Sequence, residues 1–379
     1  MPLSARVKRV EPVRERPWDW ATKNEYEEVT VRIQPYLHGH YRHKYRKTEY
    51  DIYDPRYTRL RSSNWDAFRD PKRFWYYPYT LNRKRMADDV ESLFDRALKL
   101  GLQDHVADSW RRFSEEFYIP LRHYEYAGAV QLQHVVRYAM GGPIEQVATY
   151  TAFDKQGRAQ WLSAWGLDFP GGGGSAALEH GKELWLDDPA FQGLREYMEQ
   201  VLTTEDWGEV LTALHLAVEP LVDGILYDGL NAVALAHGDV VLPELSLICQ
   251  EQIKWQEQWS QAFFTWITED PACSRWEYLK ALGYENWPGD YRWGKTLSDP
   301  RETPEEELTN REVVAEWLSL WLPRALEAVR GLQPVFDRHG IPFSVASSVE
   351  RTVDQAIRPL VRAMGIESLP TLGGEQHVE

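Results

Sequence analysis

EVLTALHLAVEPLVDGILYDGLNAVALAH, residues Glu209 to His237, has a period that settles the architecture. Leu211, Leu214, Val218, Leu221, Ile225 and Leu226 recur at i, i+3, i+4 and i+7 through it, the spacing of a helix with one broad apolar face. At 1.5 Å per residue such a helix is roughly 43 Å long, more than most globular helices reach. Gly238 and Asp239 then turn the chain into a second long helical run, about Pro243 to Thr268. Upstream, a run from about Ser114 to Met140 closes on Gly141, Gly142 and Pro143, and another follows from Ile144 to Gly166. Two antiparallel pairs of this kind make a four-helix bundle.

Around that centre the signals are local. Val90, Leu93, Phe94, Ala97 and Leu98 share one face ahead of a helix stop at Gly101. The GGGGS stretch at 171–175 is a loop; it lacks the Gly-Lys-Ser/Thr ending of a phosphate cradle, and Ser175 begins the next helix. Residues 283–310 are polar and rich in turn formers, an excursion from the core. A last helical part covers Arg311 to Phe336, where Pro323 is expected to kink or break it, and the final ten residues are expected to fray. From Glu25 to Pro78 the chain mixes Tyr, Trp, Arg and Pro without a sustained 3.6-residue period, so it reads as an extended arm lying against another surface. The expected organisation is an arm at 1–82, a helical domain at 83–338 and a C-terminal extension at 339–379.

Composition bounds the function. Apolar residues make 43% and charged residues 27%, which describes a soluble globular protein. The N-terminus has no apolar signal run, and no stretch of roughly 20 uninterrupted apolar residues follows, so a cytoplasmic protein with no membrane contact is expected. Cys249 and Cys273 have no CxxC or Cys/His pattern and read as buried free thiols. The net charge of −15 divides unevenly: residues 1–85 hold 20 Lys/Arg against 11 Asp/Glu, a balance of +9, which leaves −24 on the rest.

A long-helix bundle is a common housing for a carboxylate-bridged di-iron centre, built from a lone Glu on each of two helices and Glu-x-x-His on each of the other two. The residue three before each of the 11 histidines is never Glu or Asp, so that motif is absent from the sequence. The segments YDPRYTRLRSSNWDAFRDPKRFWYYPYT at 53–80, PLRHYEYAGA at 120–129, WLDDPAFQGLREYME at 185–199 and EPLVDGILYDGL at 219–230, in that order, resemble the beta subunit of bacterial multicomponent monooxygenase hydroxylases. That family acts on phenol, toluene, alkenes and methane, and the resemblance spans roughly residues 25 to 335.

The resemblance implies an all-α, ferritin-like long-helix bundle with an extended, irregular N-terminal arm, in which only the partner alpha subunit keeps the iron ligands. By analogy Glu125 and Glu219, 94 residues apart, occupy the two lone-Glu positions as relics. The Glu-x-x-His positions fall on KQGR (Lys155 to Arg158) and IKWQ (Ile253 to Gln256), neither of which suits iron. Buried carboxylates need partners, and Arg122 and Arg158 are the candidates. The implied assembly is alpha2-beta2, with or without a gamma subunit, served by a small effector protein and by a reductase carrying FAD, [2Fe-2S] and NADH. No metal, cofactor or catalytic residue is expected in this chain.

Three other features read as structural. Glu219 and Asp223 stand at i, i+4 on one helix face, whereas paired hydrolytic acids oppose each other across a cleft. His38, His40 and His43 have no carboxylate or thiolate arranged with them and suit a surface or interface. Lys/Arg interleaved with aromatics also describes single-strand nucleic-acid binding, but the acidic remainder opposes it. The arm's Tyr36, Tyr41, Tyr45, Tyr53, Trp65, Trp75, Tyr76 and Tyr77 are expected to anchor the alpha subunit. A helical scaffold unrelated to oxygenation, and a free-standing di-iron oxidase with unusual ligands, are the competing readings.

Overall fold

The computed structural model describes residues 26–31, 57–62, 65–169, 174–269 and 308–366. Its core is made by long helices whose buried residues face inward. Helix α1 (Tyr76–Leu100) ends on Gly101, whose φ of 61° gives the left-handed turn that a stop needs. Helices α2 (Asp108–Tyr138) and α3 (Gly142–Asp168) form an antiparallel hairpin and pack along their whole length. The hinge residue Gly141 has φ 93°, and a Cβ there would lie 2.6 Å from the Trp65 carbonyl oxygen, so glycine is required twice over.

Two shorter helices, α4 (Ser175–Asp187) and α5 (Pro189–Leu202), cover one flank of α2. Asp188 accepts from the Ala190 N–H and caps α5. The long apolar run then forms α6 (Trp207–Ala236), capped by Asp206, whose carboxylate accepts from the Gly208 and Glu209 N–H groups. Two π-helical turns, Thr212–Val218 and Ile225–Gly229, interrupt its α-helical pitch on either side of Glu219–Gly224. Helix α7 (Val241–Glu269) returns beside it; α8 (Asn310–Arg330) opens with a reciprocal Thr309/Glu312 capping box and packs on α6.

The ferritin-like all-α bundle expected from sequence is the fold observed, with no strand among the described residues. Several local expectations change. The first bundle helix begins at Tyr76, inside the segment expected to be irregular. Pro323 does not break α8, which runs on to Arg330. Beyond it, α9 (Gln333–His339) and α10 (345–363) continue the structure, and α10 packs on α6. Within α6 an 18-residue window has mean hydropathy 1.4, enough by length and composition to cross a membrane, but 89% of it is buried inside the protein.

The described part of the arm lies on this chain's own bundle. Trp65 packs edge-on against Trp207 at 5.4 Å and Trp266 at 6.2 Å. Asp70 accepts from the Trp255 indole N–H at 3.0 Å and from the Phe74 and Lys72 backbones, while its own N–H donates to the Tyr26 hydroxyl. Arg69 pairs with Glu27 at 2.7 Å. A segment that cannot make a core alone thus completes that of α6 and α7.

Candidate functional site

Polar side chains gather at the centre of the bundle, where α2, α3, α6 and α7 meet. Helix α2 supplies Tyr124 and Glu125, α3 supplies Lys155 and Arg158, and α7 supplies Gln252 and Gln256. Helix α6 supplies His215, Glu219, Asp223 and Tyr227, four residues apart and therefore on one face. All are buried; Glu125, Lys155 and Arg158 have no exposed surface at all.

Charges are paired directly. The Arg158 guanidinium grips Glu125 with Nε at 2.8 Å from Oε1 and an Nη at 3.1 Å from Oε2. The Lys155 ammonium bridges two helices, 3.3 Å from Glu125 Oε2 and 2.9 Å from Glu219 Oε1. The Tyr227 hydroxyl donates to Glu125 Oε1 at 2.7 Å, and His215 Nδ1 lies 2.5 Å from Glu219 Oε2. The Gln252 and Gln256 side-chain oxygens accept from Arg158 at 3.4 Å. Gly128 makes room: a Cβ there would meet Lys155 Cδ at 2.8 Å. An outer link follows, in which Gln256 reaches Asp154, itself held by both Arg83 and the Tyr79 hydroxyl.

The electrostatics follow from burial and pairing. Burial alone would favour the neutral forms, yet Arg158 and Lys155 overcome it at Glu125, and His215 and Lys155 at Glu219, so both carboxyls stay below their usual range. Their negative charges keep Lys155 and Arg158 protonated despite burial. Asp223 goes the other way. Burial, reinforced by the charges of Glu125 and Glu219, pushes it up to about 8, so it is a neutral acid at pH 7. The Asp223 Oδ1, the Tyr124 hydroxyl and His215 Nε2 are buried without a hydrogen-bond partner among the described residues.

These groups do not fit a di-iron centre. Iron needs carboxylate and imidazole donors around an open cation position, and here an ammonium bridges the two carboxylates while a guanidinium holds both oxygens of Glu125. Among the described residues no three His, Cys, Asp or Glu side chains are arranged to hold a metal.

Glu125 and Glu219 do come together through Lys155, and Arg158 is a partner of Glu125 as sequence suggested. Arg122 is not; it donates to the Leu178 carbonyl at 2.7 Å. On α7 the groups reaching the cluster are Gln252 and Gln256, one turn apart, so the window Ile253–Gln256 is shifted by one residue at its start. His215, Tyr227 and Tyr124 were missed, although the spacing 215, 219, 223, 227 of polar residues on an otherwise apolar helix was a visible signal. Of the expected interface aromatics, Trp65 and Trp75 are buried by this chain itself, at 4% and 8% exposure, whereas Tyr76 is 71% and Tyr77 48% exposed. Tyr36, Tyr41, Tyr45 and Tyr53 lie outside the described residues, as do His38, His40, His43 and Cys273. Cys249 is a buried free thiol, its pKa raised by burial.

Over 339 residues the chain is 26% identical to the oxygenase component of phenol 2-monooxygenase from Pseudomonas sp. (strain CF600), covering 87% of this chain and 90% of that one. It is 31% identical over 222 residues to the beta subunit of the toluene-4-monooxygenase hydroxylase of Ectopseudomonas mendocina, 56% of this chain and 65% of that one. The fold matches crystalline phenol hydroxylase from Pseudomonas sp. OX1 with a TM-score of 0.72 at 22% identity, over 91% of each chain. The model of the methane/phenol/alkene hydroxylase family matches residues 47–271, and the chain belongs to that family.

Proposed function

We propose that this chain is the non-catalytic beta, or small, subunit of a multicomponent monooxygenase hydroxylase. Its partner alpha subunit would carry the di-iron centre that hydroxylates or epoxidises a small hydrocarbon with O2. The observation that carries the reading is the Lys155–Glu125–Arg158 cluster at the bundle centre, which fills with cations the space where iron ligands would converge. A relative named as a beta subunit, and others named as hydroxylase small subunits, support the same assignment.

The contribution of such a chain is mechanical. Oxygen activation needs ligands held to a fraction of an ångström, and a rigid companion bundle braces the helices that bear them. Tyr76 and Tyr77, exposed where α1 begins, together with Tyr36, Tyr41, Tyr45 and Tyr53 of the arm, are the proposed anchors. The assembly would be alpha2-beta2, with or without gamma. It would be cytoplasmic and supplied by an effector protein and by a reductase with FAD, [2Fe-2S] and NADH. Relatives named for phenol and toluene head the comparison, which favours an aromatic substrate, although others are named for propane and methane.

The test is purification of the native complex with iron counted per subunit. Iron confined to a partner of about 500 residues with two Glu-x-x-His motifs is the expected result; stoichiometric iron in this chain, or its recovery alone as a stable monomer, would overturn the assignment.

A further inference from the structure

We infer that the outward face of the α2–α3 hairpin, centred on Gly157, is the surface against which a pair of helices of the catalytic partner subunit packs. The inference rests on the subunit assignment above and adds to it the place of contact and the kind of surface that meets it.

The charge pattern of α3 is inverted. Between Gln146 and Leu167 its charged residues are Asp154, Lys155 and Arg158, and all three are buried. What it turns outward there is uncharged, with Thr149, Phe153, Gln156, Gln160 and Leu167 along the stripe. Beside it α2 presents Tyr126, Val130 and Gln133, and has no Asp, Glu, Lys or Arg from Tyr126 to Val136. The two stripes lie level, since Gly128 of α2 abuts the Lys155 side chain of α3. Helix α1, by contrast, presents Lys84, Arg85, Asp88, Asp89, Glu91 and Asp95 to solvent, as a water-facing helix does. Loss of charge with aromatics retained is the composition of an interface core.

Gly157, in the middle of α3, is a second and independent sign. Its backbone is ordinary helix, without the positive φ that would require glycine. A Cβ built on it meets nothing within 4 Å among the described residues, so no internal packing requires glycine either. Glycine inside a helix is less stable than alanine, and that cost is offset when another backbone approaches closely from outside.

The dimensions fit helices. At 1.5 Å per residue the outward stripe from Thr149 to Leu167 is about 27 Å long. Tyr126 at 55%, Phe153 at 56% and Tyr76 at 71% exposure leave roughly 350 Å² of ring surface open, a large share of the about 800 Å² that each side of a stable interface buries. A two-helix surface of that length receives another helix pair, ridge into groove. The face also runs on to the head of α1, where Tyr79 stacks on Tyr150 at 4.0 Å and its hydroxyl binds Asp154, the neighbour of Phe153. A charged group set against Phe153 would be desolvated without a counter-charge, so the partner's helices are uncharged over the same length. A second copy of this chain is the poorer occupant: residues 86–379 carry −24, the total of −15 less the +9 of residues 1–85, and two such bodies repel.

The experiment co-expresses the full-length chain with the catalytic subunit and measures capture of that subunit by Gly157→Leu, which fills the close approach, and by Phe153→Glu, which puts a charge on it. Each should weaken capture by about tenfold or more, whereas Glu91→Lys on α1 should leave it at the native level. Gly157→Ala should raise the melting temperature of the full-length chain and still weaken capture, a combination that a residue serving only this chain's own fold does not give. Should Phe153→Glu fail to fold, Gln156→Arg on the same stripe gives the same reading. The photo-cross-linker p-benzoyl-phenylalanine, placed at Gln160 in the native complex, should attach to the catalytic subunit within one of its long helices. Native capture by Gly157→Leu and Phe153→Glu, or a cross-link to a second copy or within this chain, overturns the inference and leaves the subunit assignment intact. A native complex without an iron-bearing partner overturns both.

Discussion

At the scale of single residues, the cluster makes opposite demands of its carboxylates. Asp223 is neutral in the fold up to about pH 8, whereas an unfolded Asp ionises near 3.9. Between those values the folded chain binds the extra proton, so this residue's contribution to stability is complete below about pH 4 and is lost as pH rises through about 8. Asp223→Asn keeps the neutral shape, and its melting temperature should fall less than that of the native chain between pH 6 and 9; parallel curves would refute the neutral acid. Glu219 has the reverse sign: held below its usual range, it stabilises above about pH 4.5, and that contribution drains away on acidification. Pairing sets a second expectation. Glu125→Ala strands Arg158 without a counter-charge, while Lys155 keeps Glu219, and should cost about 3–5 kcal/mol; Glu125→Leu combined with Arg158→Leu should cost less than Glu125→Ala alone, since matched removal leaves no unpaired charge. Urea melts of the two variants decide it.

Among elements, the arm segment and α6 carry the argument. Trp65 joins residues 57–75 to Trp207 at the start of α6 and to Trp266 near the end of α7. Trp65→Ala should therefore destabilise by about 3–5 kcal/mol and make the Arg59–Arg73 stretch sensitive to trypsin before the helices are cut; unchanged digestion would mean that the segment is held elsewhere. The helices themselves were legible because their apolar periods are long and end on Gly101, Gly141 and Gly238, each with positive φ. The arm's seat was not, because Trp65 and Trp75 have the composition of an interface and nothing local says that the surface they bury belongs to the same chain. Pro323 misled for a related reason: a proline costs one hydrogen bond, while Trp317, Leu318, Trp321, Leu322 and Ala325 bury their side chains in the core on either side of it. In the cluster, Glu125, Glu219, Lys155 and Arg158 could be named by analogy with the ligand positions of the family that the surrounding segments resemble. Gln252 could not, because a one-residue shift on α7 changes which side chain faces inward and apolar neighbours on both sides leave that register open.

For the whole molecule, the decisive property is what the surface leaves unfilled. Most large aromatics are spent on the core, yet Tyr76 and Tyr77 at the head of α1, Phe153 on α3 and Tyr126 on α2 remain exposed. Tyrosines at a protein–protein contact are enriched among the residues that dominate its energy, because a large ring is desolvated and the hydroxyl keeps a partner. A substitution at an exposed surface position shifts stability by roughly ±0.5 kcal/mol. Tyr76, at 71% exposure, is an exposed position among the described residues. Tyr76→Asp should therefore leave the melting temperature of the isolated chain nearly unchanged, yet weaken capture of the co-expressed alpha subunit by about tenfold or more, equivalent to roughly 1.4 kcal/mol. Asp223→Asn serves as the contrasting variant, since it alters the buried cluster and leaves the surface intact; its capture should match the native chain. If Tyr76→Asp binds as well as native, the contact lies elsewhere on the molecule, and if it lowers the melting temperature as much as it lowers capture, the ring is serving this chain's own fold.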